Sequence, residues 1–158
     1  KFILVQYFIS IELIYVFEDR IARLRWNRTG ITVAGITGSP GINSQQLYHT
    51  SGIALDWSNN LYVGDRYNNR IQKFLRGSTN GSTISGDSNG LSGTALNRLN
   101  QPTGVYVDEN ETLYVSDVNN HRVVQWSPGS LTGTIIAGNG KRKLKKVFFS
   151  LRTSQLSV

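Results

Sequence analysis

Two polar constellations in this 158-residue chain have the composition of chemical sites. Asp65, Asn68 and Arg70 form one, and Asp117, Asn120 and Arg122 form the other. An acid, an amide and a base in the spacing Asp-x-x-Asn-x-Arg bring a proton acceptor, a donor and a fixed positive charge to one corner of the chain. Asp56 and Asp108 add one further carboxylate upstream of each set. The same residue types also build turns, with Asp accepting from backbone N–H groups and Arg pairing with a carboxylate across the strands. Repetition favours turn building, because a catalytic centre is usually made once and a fold-keeping corner once per unit.

The other chemistry-bearing residues are sparse. His49 and His121 stand in different contexts with no HxH or HxxxH spacing, which points away from a metal centre. The chain has no Cys, so thiolate nucleophiles, disulfides and thiolate metal sites are excluded. There is no Gly-x-Ser-x-Gly elbow, and Gly138-Asn139-Gly140-Lys141 lacks the spacing of a phosphate loop. The expectation is a non-enzymatic protein with no cofactor and no metal. Sequons at Asn27, Asn80 and Asn110 are as many as chance supplies in a chain this rich in Asn, Ser and Thr, and they assign no compartment.

The elements that must position these residues are written twice. Residues 52–74 (GIALDWSNNLYVGDRYNNRIQKF) align without a gap on residues 104–126 (GVYVDENETLYVSDVNNHRVVQW) at an offset of 52. Eight of the 23 positions are identical, where average residue usage gives roughly one or two. The echo continues in LYHTS at 47–51 against LNQPT at 99–103, and in GSTISG at 81–86 against GTIIAG at 133–138. A related GITVAG lies at 30–35. A period of this length means stacked supersecondary units.

Short runs rich in β-branched and aromatic residues, bounded by Asn, Gly, Ser and Asp, predict four antiparallel strands per unit. Strand a falls at 52–56 and 104–108, strand b at 61–65 and 113–117, strand c at 70–74 and 122–126, and strand d at 82–85 and 134–137. The alternation in Leu-Tyr-Val puts Leu61, Val63, Leu113 and Val115 on one face and Tyr62 and Tyr114 on the other. Phe74 and Trp126, at matching strand ends, are expected to pack between units.

Four strands per repeated unit are the composition of a β-propeller blade, so the fold class is all-β. The wording Gly-apolar-x-apolar-Asp, Leu-Tyr-Val-x-Asp, then x-x-Asn-x-Arg-Ile/Val resembles the NHL repeat, with Asn120-His121-Arg122 at the position that names it. The resemblance covers 45–140 fully and 13–44 in part. It implies a six-bladed, TolB-like propeller closed around a central channel, acting typically as a scaffold that presents loops to protein partners. Related six-bladed enzymes, lyases and lactonases, hold a metal in that channel and supply the enzymatic alternative.

The domain reading follows the repeat. Residues 1–12 are an unmatched apolar lead segment, 13–44 a degenerate partial blade, 45–86 a blade, and 87–140 a blade with its lead-in loop; 141–158 is a basic tail. Two full blades and part of a third are too few for a ring. The chain is therefore expected to be a fragment of a larger propeller or to pair with another copy. The absence of Met agrees with a fragment or processed piece.

Charge separates the tail from the body. The net charge is +7, but residues 141–158 carry six basic residues and no acid. Residues 1–140 hold 11 basic and 10 acidic residues, a net of +1, so the repeat body has no nucleic-acid footprint. Residues 1–17 are apolar but short for a membrane span, with Glu12 among them, which leaves a membrane-anchored or extracellular sensor as a further alternative. Localisation is not legible.

Where the copies disagree, binding is expected, because loops on a rigid scaffold carry specificity. Trp57 stands where the next unit has Glu109, and Arg66-Tyr67 where it has Val118-Asn119. Trp, Tyr and Arg are the composition of an interaction hot spot. Drift in tolerant loops is the competing account of the same differences.

Overall fold

The computed structural model describes residues 12–13 and 29–138. Residues 1–11, 14–28 and 139–158 lie outside the described residues, and with them the anchor reading, the basic tail 141–158 and much of the degenerate partial blade 13–44.

Two four-stranded antiparallel meanders make up the body. After the short pair β1 (Glu12–Leu13) and β2 (Ile31–Thr32), the first blade runs β3 (Ile53–Leu55), β4 (Leu61–Asp65), β5 (Arg70–Phe74) and β6 (Gly81–Gly86). The second runs β7 (Pro102–Val107), β8 (Leu113–Asp117), β9 (Arg122–Trp126) and β10 (Thr134–Ala137). The expected strands are all present. The clearest difference is β7, which starts at Pro102 instead of Gly104, because Pro102 pairs with Asp117 beyond a register shift before Gly104. A proline is tolerated there since the first residue of a strand can spare its N–H.

Register repeats as closely as sequence does. Leu61 faces Phe74, Tyr62 faces Lys73 and Asp65 faces Arg70; the second blade pairs Leu113 with Trp126, Tyr114 with Gln125 and Asp117 with Arg122. The period-2 alternation then sorts side chains between two blade faces. Leu61, Val63 and Phe74 pack with Ala34, Val33, Leu47, Ile53 and Leu55 on one side of the first blade. Tyr62 and Ile71, with Ala54 and Ile84, pack on Val105, Val107, Leu113, Val115, Val124 and Trp126 of the second. Each fully buried Val, Leu, Ile or Phe among them contributes roughly 1.5–3 kcal/mol. Phe74 and Trp126 therefore lie in the cores against the blade faces, in keeping with the sequence expectation.

The innermost strands approach closely. A Cβ on Gly52 would lie 2.3 Å from the Thr103 carbonyl oxygen, so this contact admits no side chain. Ser51 Oγ bridges the blades there, donating to the Pro102 carbonyl at 2.8 Å. These are open propeller-type blades. The second blade's far face carries Tyr106, Tyr114, Val123 and Ile136, the counterparts of Ala54, Tyr62, Ile71 and Ile84. No further sheet stacks on it among the described residues.

Candidate functional site

Each b–c corner is built by a 3-10 turn, Arg66–Asn68 or Val118–Asn120, closed by one left-handed residue, Asn69 (φ 52°) or His121 (φ 51°). This compact corner drops Asn68 or Asn120 beside the Asp at the end of strand b and the Arg at the start of strand c. Asp65 accepts from Arg70 Nε at 2.8 Å, from Asn68 Nδ2 at 2.9 Å and from the Tyr48 backbone N–H at 2.7 Å. Asp117 accepts from Arg122 Nε at 2.8 Å, Asn120 Nδ2 at 2.8 Å and the Asn100 N–H at 2.7 Å.

The remaining donors reach into the lead-in loop. Asn68 donates to the Gly41 carbonyl and Asn120 to the Gly93 carbonyl, both at 2.7 Å. Arg70 donates to the carbonyls of Asn43 and Gln46; Arg122 donates to those of Thr94, Ala95 and Arg98. Both aspartates are fully buried. Burial pushes the Asp65 carboxyl up, while Tyr48, Asn68 and Arg70 all pull it back towards the anion. Every strong partner of these groups is internal, so the two constellations clasp the lead-in loop to its blade and present no reactive atom to solvent.

Asp56 and Asp108 organise the a–b corners. Asp56 accepts from the N–H groups of Ser58 and Asn60 at 2.9 Å each, and Asp108 from those of Asn110 and Thr112 at 2.9 and 2.8 Å. Tyr62 and Tyr114 hydroxyls close the same carboxylates. Burial opposes the Asp56 charge, yet the bonds from Asn60 and the nearby Lys73 hold its carboxyl below the ordinary range. Lys73 Nζ lies 3.4 Å from Asp56 and 3.0 Å from Glu111 of the next blade. Burial disfavours its charge, but Tyr62 and Glu111 outweigh that and hold the ammonium above its usual range. A lysine so protonated is an inter-blade strut and a poor nucleophile. Among the described residues no group of three or more His, Cys, Asp or Glu could hold a metal ion.

The non-recurring residues separate. Trp57 is 82% exposed at the a–b corner. Arg66 and Tyr67 sit at the b–c corner, beyond the other end of five-residue β4 and so roughly 15 Å away along the strand. The structure does not bring Trp57 to Arg66 and Tyr67, because successive turns of a meander fall on opposite edges of the sheet.

What does gather at the b–c end is an aromatic platform. Tyr67 stacks on His49 with ring centroids 4.4 Å apart and meets Tyr48 edge-on at 5.1 Å. Arg66 lies 5.6 Å from the Tyr67 ring centroid and donates from Nη2 to Gln101 Oε1 at 3.0 Å. Tyr48 and Tyr67 are 45% and 41% exposed. In the sequence Tyr48 did not stand out and His49 was weighed only as a metal ligand, although the signal was there: they occupy the repeat positions of Asn100 and Gln101.

The backbone beneath the platform is common to both copies. Tyr67 N–H donates to the Tyr48 carbonyl at 3.0 Å, and Asn119 N–H to the Asn100 carbonyl at 3.2 Å. His49 and Gln101 share the left-handed conformation, at φ 56° and 51°. One scaffold thus carries rings and a guanidinium in the first blade, and amides and an isopropyl group in the second.

Comparison with known proteins matches this architecture. The NHL repeat family model matches residues 47–74 and 99–126, the two segments that span each lead-in anchor through strand c. NHL repeat-containing protein 2 of Homo sapiens is 37% identical over 89 residues, covering 52% of this chain and 12% of that protein. Its Bos taurus counterpart is 36% identical over the same length and shares. The match thus spans about an eighth of the length of these relatives. This chain thus carries two NHL repeats, each lying within a four-stranded antiparallel blade.

Proposed function

We propose that this pair of blades is a non-enzymatic scaffold that engages a protein partner through Tyr48, His49, Arg66 and Tyr67. The observation that carries the reading is the contrast within the repeat. The Asp-Asn-Arg clasps, the corner geometry and the backbone bond under the platform recur, whereas these four side chains do not. Residues freed from building the blade, clustered, ring-rich and half-exposed, have the composition and packing of a hot spot. Trp57, alone at the opposite edge, is outside this surface and is read as a tolerated substitution in a loop.

The test is selection of binders from a random-peptide display library on the full chain, with counter-selection against Tyr67→Ala and His49→Ala. Binders that are lost on both variants, while the urea midpoints hold, support the platform as the partner site. Binders that bind the variants equally well place recognition elsewhere and refute it.

A further inference from the structure

We infer that the platform reads an acidic peptide segment, with Arg66 receiving an Asp or Glu carboxylate and the His49–Tyr67–Tyr48 rings receiving a neighbouring apolar or aromatic side chain. The inference rests on the scaffold reading above and deepens it by assigning the partner's chemistry.

Arg66 is unneutralised. The other buried or half-buried cations of the blades are committed: Arg70 to Asp65, Lys73 to Asp56 and Glu111, Arg98 to Asp87, and Arg122 to Asp117. Among the described residues Arg66 has no carboxylate partner, and its one hydrogen-bond acceptor there is a neutral amide oxygen. Its Nε is shielded from solvent and unbonded. An incoming acceptor therefore meets the guanidinium at its terminal nitrogens. The acid next to it in sequence, Asp65, is fully buried and saturated by its own donors.

The guanidinium is also pre-positioned. Gln101 fixes one end and the Tyr67 ring underlies it, so part of the side-chain ordering that binding requires is already complete. Gln101 is itself anchored, since its N–H donates to Asn69 Oδ1 at 2.9 Å. A fixed cation next to stacked rings complements a carboxylate adjacent to an apolar group. A nucleic acid is the other anionic candidate, and charge disfavours it. Its affinity comes from neutralising several phosphates, and the platform supplies one cation on a body whose net charge is +1. The second blade acts as a built-in control, because Val118 replaces the cation on the same backbone.

The experiment sequences the peptides enriched on the full chain and measures the binding of a fluorescein-labelled consensus by anisotropy. The inference expects Asp or Glu beside an aromatic or aliphatic residue. Arg66→Gln then weakens the consensus about tenfold or more, and Arg66→Lys by less. Changing the peptide's acid to its amide causes a similar loss, with little further loss on Arg66→Gln. Neutral or basic consensus peptides, or binding within twofold on Arg66→Gln, overturn the inference. If those peptides still depend on Tyr67, the scaffold reading survives alone; if no peptide is enriched, both fall. Labelled oligo-uridine bound more tightly than any peptide, and released by Arg66→Gln, would also overturn it and assign single-stranded nucleic acid. Urea midpoints of both Arg66 variants verify that the effects are local.

Discussion

Asp117→Ala is the most informative single perturbation of the blade. Asp117 is fully buried and accepts three hydrogen bonds of 2.7–2.8 Å, two of them from Asn120 and Arg122. Truncation leaves the Arg122 guanidinium, itself 4% exposed, without its counter-charge. Removing one member of a buried pair costs about 3–5 kcal/mol. Arg122 keeps the carbonyls of Thr94, Ala95 and Arg98, which places the expected loss near the lower end, about 3 kcal/mol. That is a large share of the roughly 5–15 kcal/mol of a typical domain. Urea unfolding followed by circular dichroism reads it as a midpoint lowered by about 1–3 M, given slopes of roughly 1–3 kcal/mol/M. Asp108→Ala, at the half-buried a–b corner, serves as the reference and costs about 1 kcal/mol, in the range of a lost cap. An Asp117→Ala loss below about 1 kcal/mol would refute the clasp, because no buried charge pair so connected can be removed at that expense.

Three further outcomes follow from the same geometry. Gly52→Ala drives a Cβ towards the Thr103 carbonyl and destabilises the inter-blade contact by about 1–3 kcal/mol, read by thermal unfolding; no change would mean that the inner strands are not so close. His121→Asn places at the left-handed corner the residue that the first blade already uses, Asn69, and stabilises by about 0.5–1 kcal/mol in the same assay. The Asp56 carboxyl sits below its unfolded value in the folded state, so its ionised form adds stability above the unfolded pKa of about 3.9. That stability is lost as pH falls through the lower folded pKa. Stability difference curves of wild type against Asp56→Asn should therefore converge below about pH 4, and a gap unchanged down to pH 2 would contradict the assignment.

Most of the blade was legible because its signals are local and doubled. Strands b and c match the sequence reading residue for residue, since Leu-Tyr-Val and Arg-Ile/Val are bounded by turn residues on both sides. The early start of β7 was not legible, because it depends on Pro102 pairing with Asp117 across a bulge, a tertiary feature. The Asp-Asn-Arg sets could be recognised as repeated, but not as loop clasps. Their partners are backbone carbonyls 24–28 residues upstream, which carry no residue-type signature. The platform was half legible. Arg66 and Tyr67 stood out as differences within the strongest stretch of the repeat, whereas Tyr48 and His49 lay in a weaker echo. Trp57 looked like their neighbour because linear distance hides the edge on which a turn falls.

In the function proposed above, recurring residues build the blades and the non-recurring cluster engages the partner. The direct test converts one copy's surface into the other's: Tyr48→Asn, His49→Gln, Arg66→Val and Tyr67→Asn in one full-chain variant. The decisive measurement is an anisotropy titration of this variant with a peptide selected on the wild type. The account predicts a folded protein, with a urea midpoint lowered by no more than about 1.5 kcal/mol equivalent, that no longer binds the peptide. Retained binding would contradict it, as would a variant that cannot fold on a backbone the second blade already uses with those same residues.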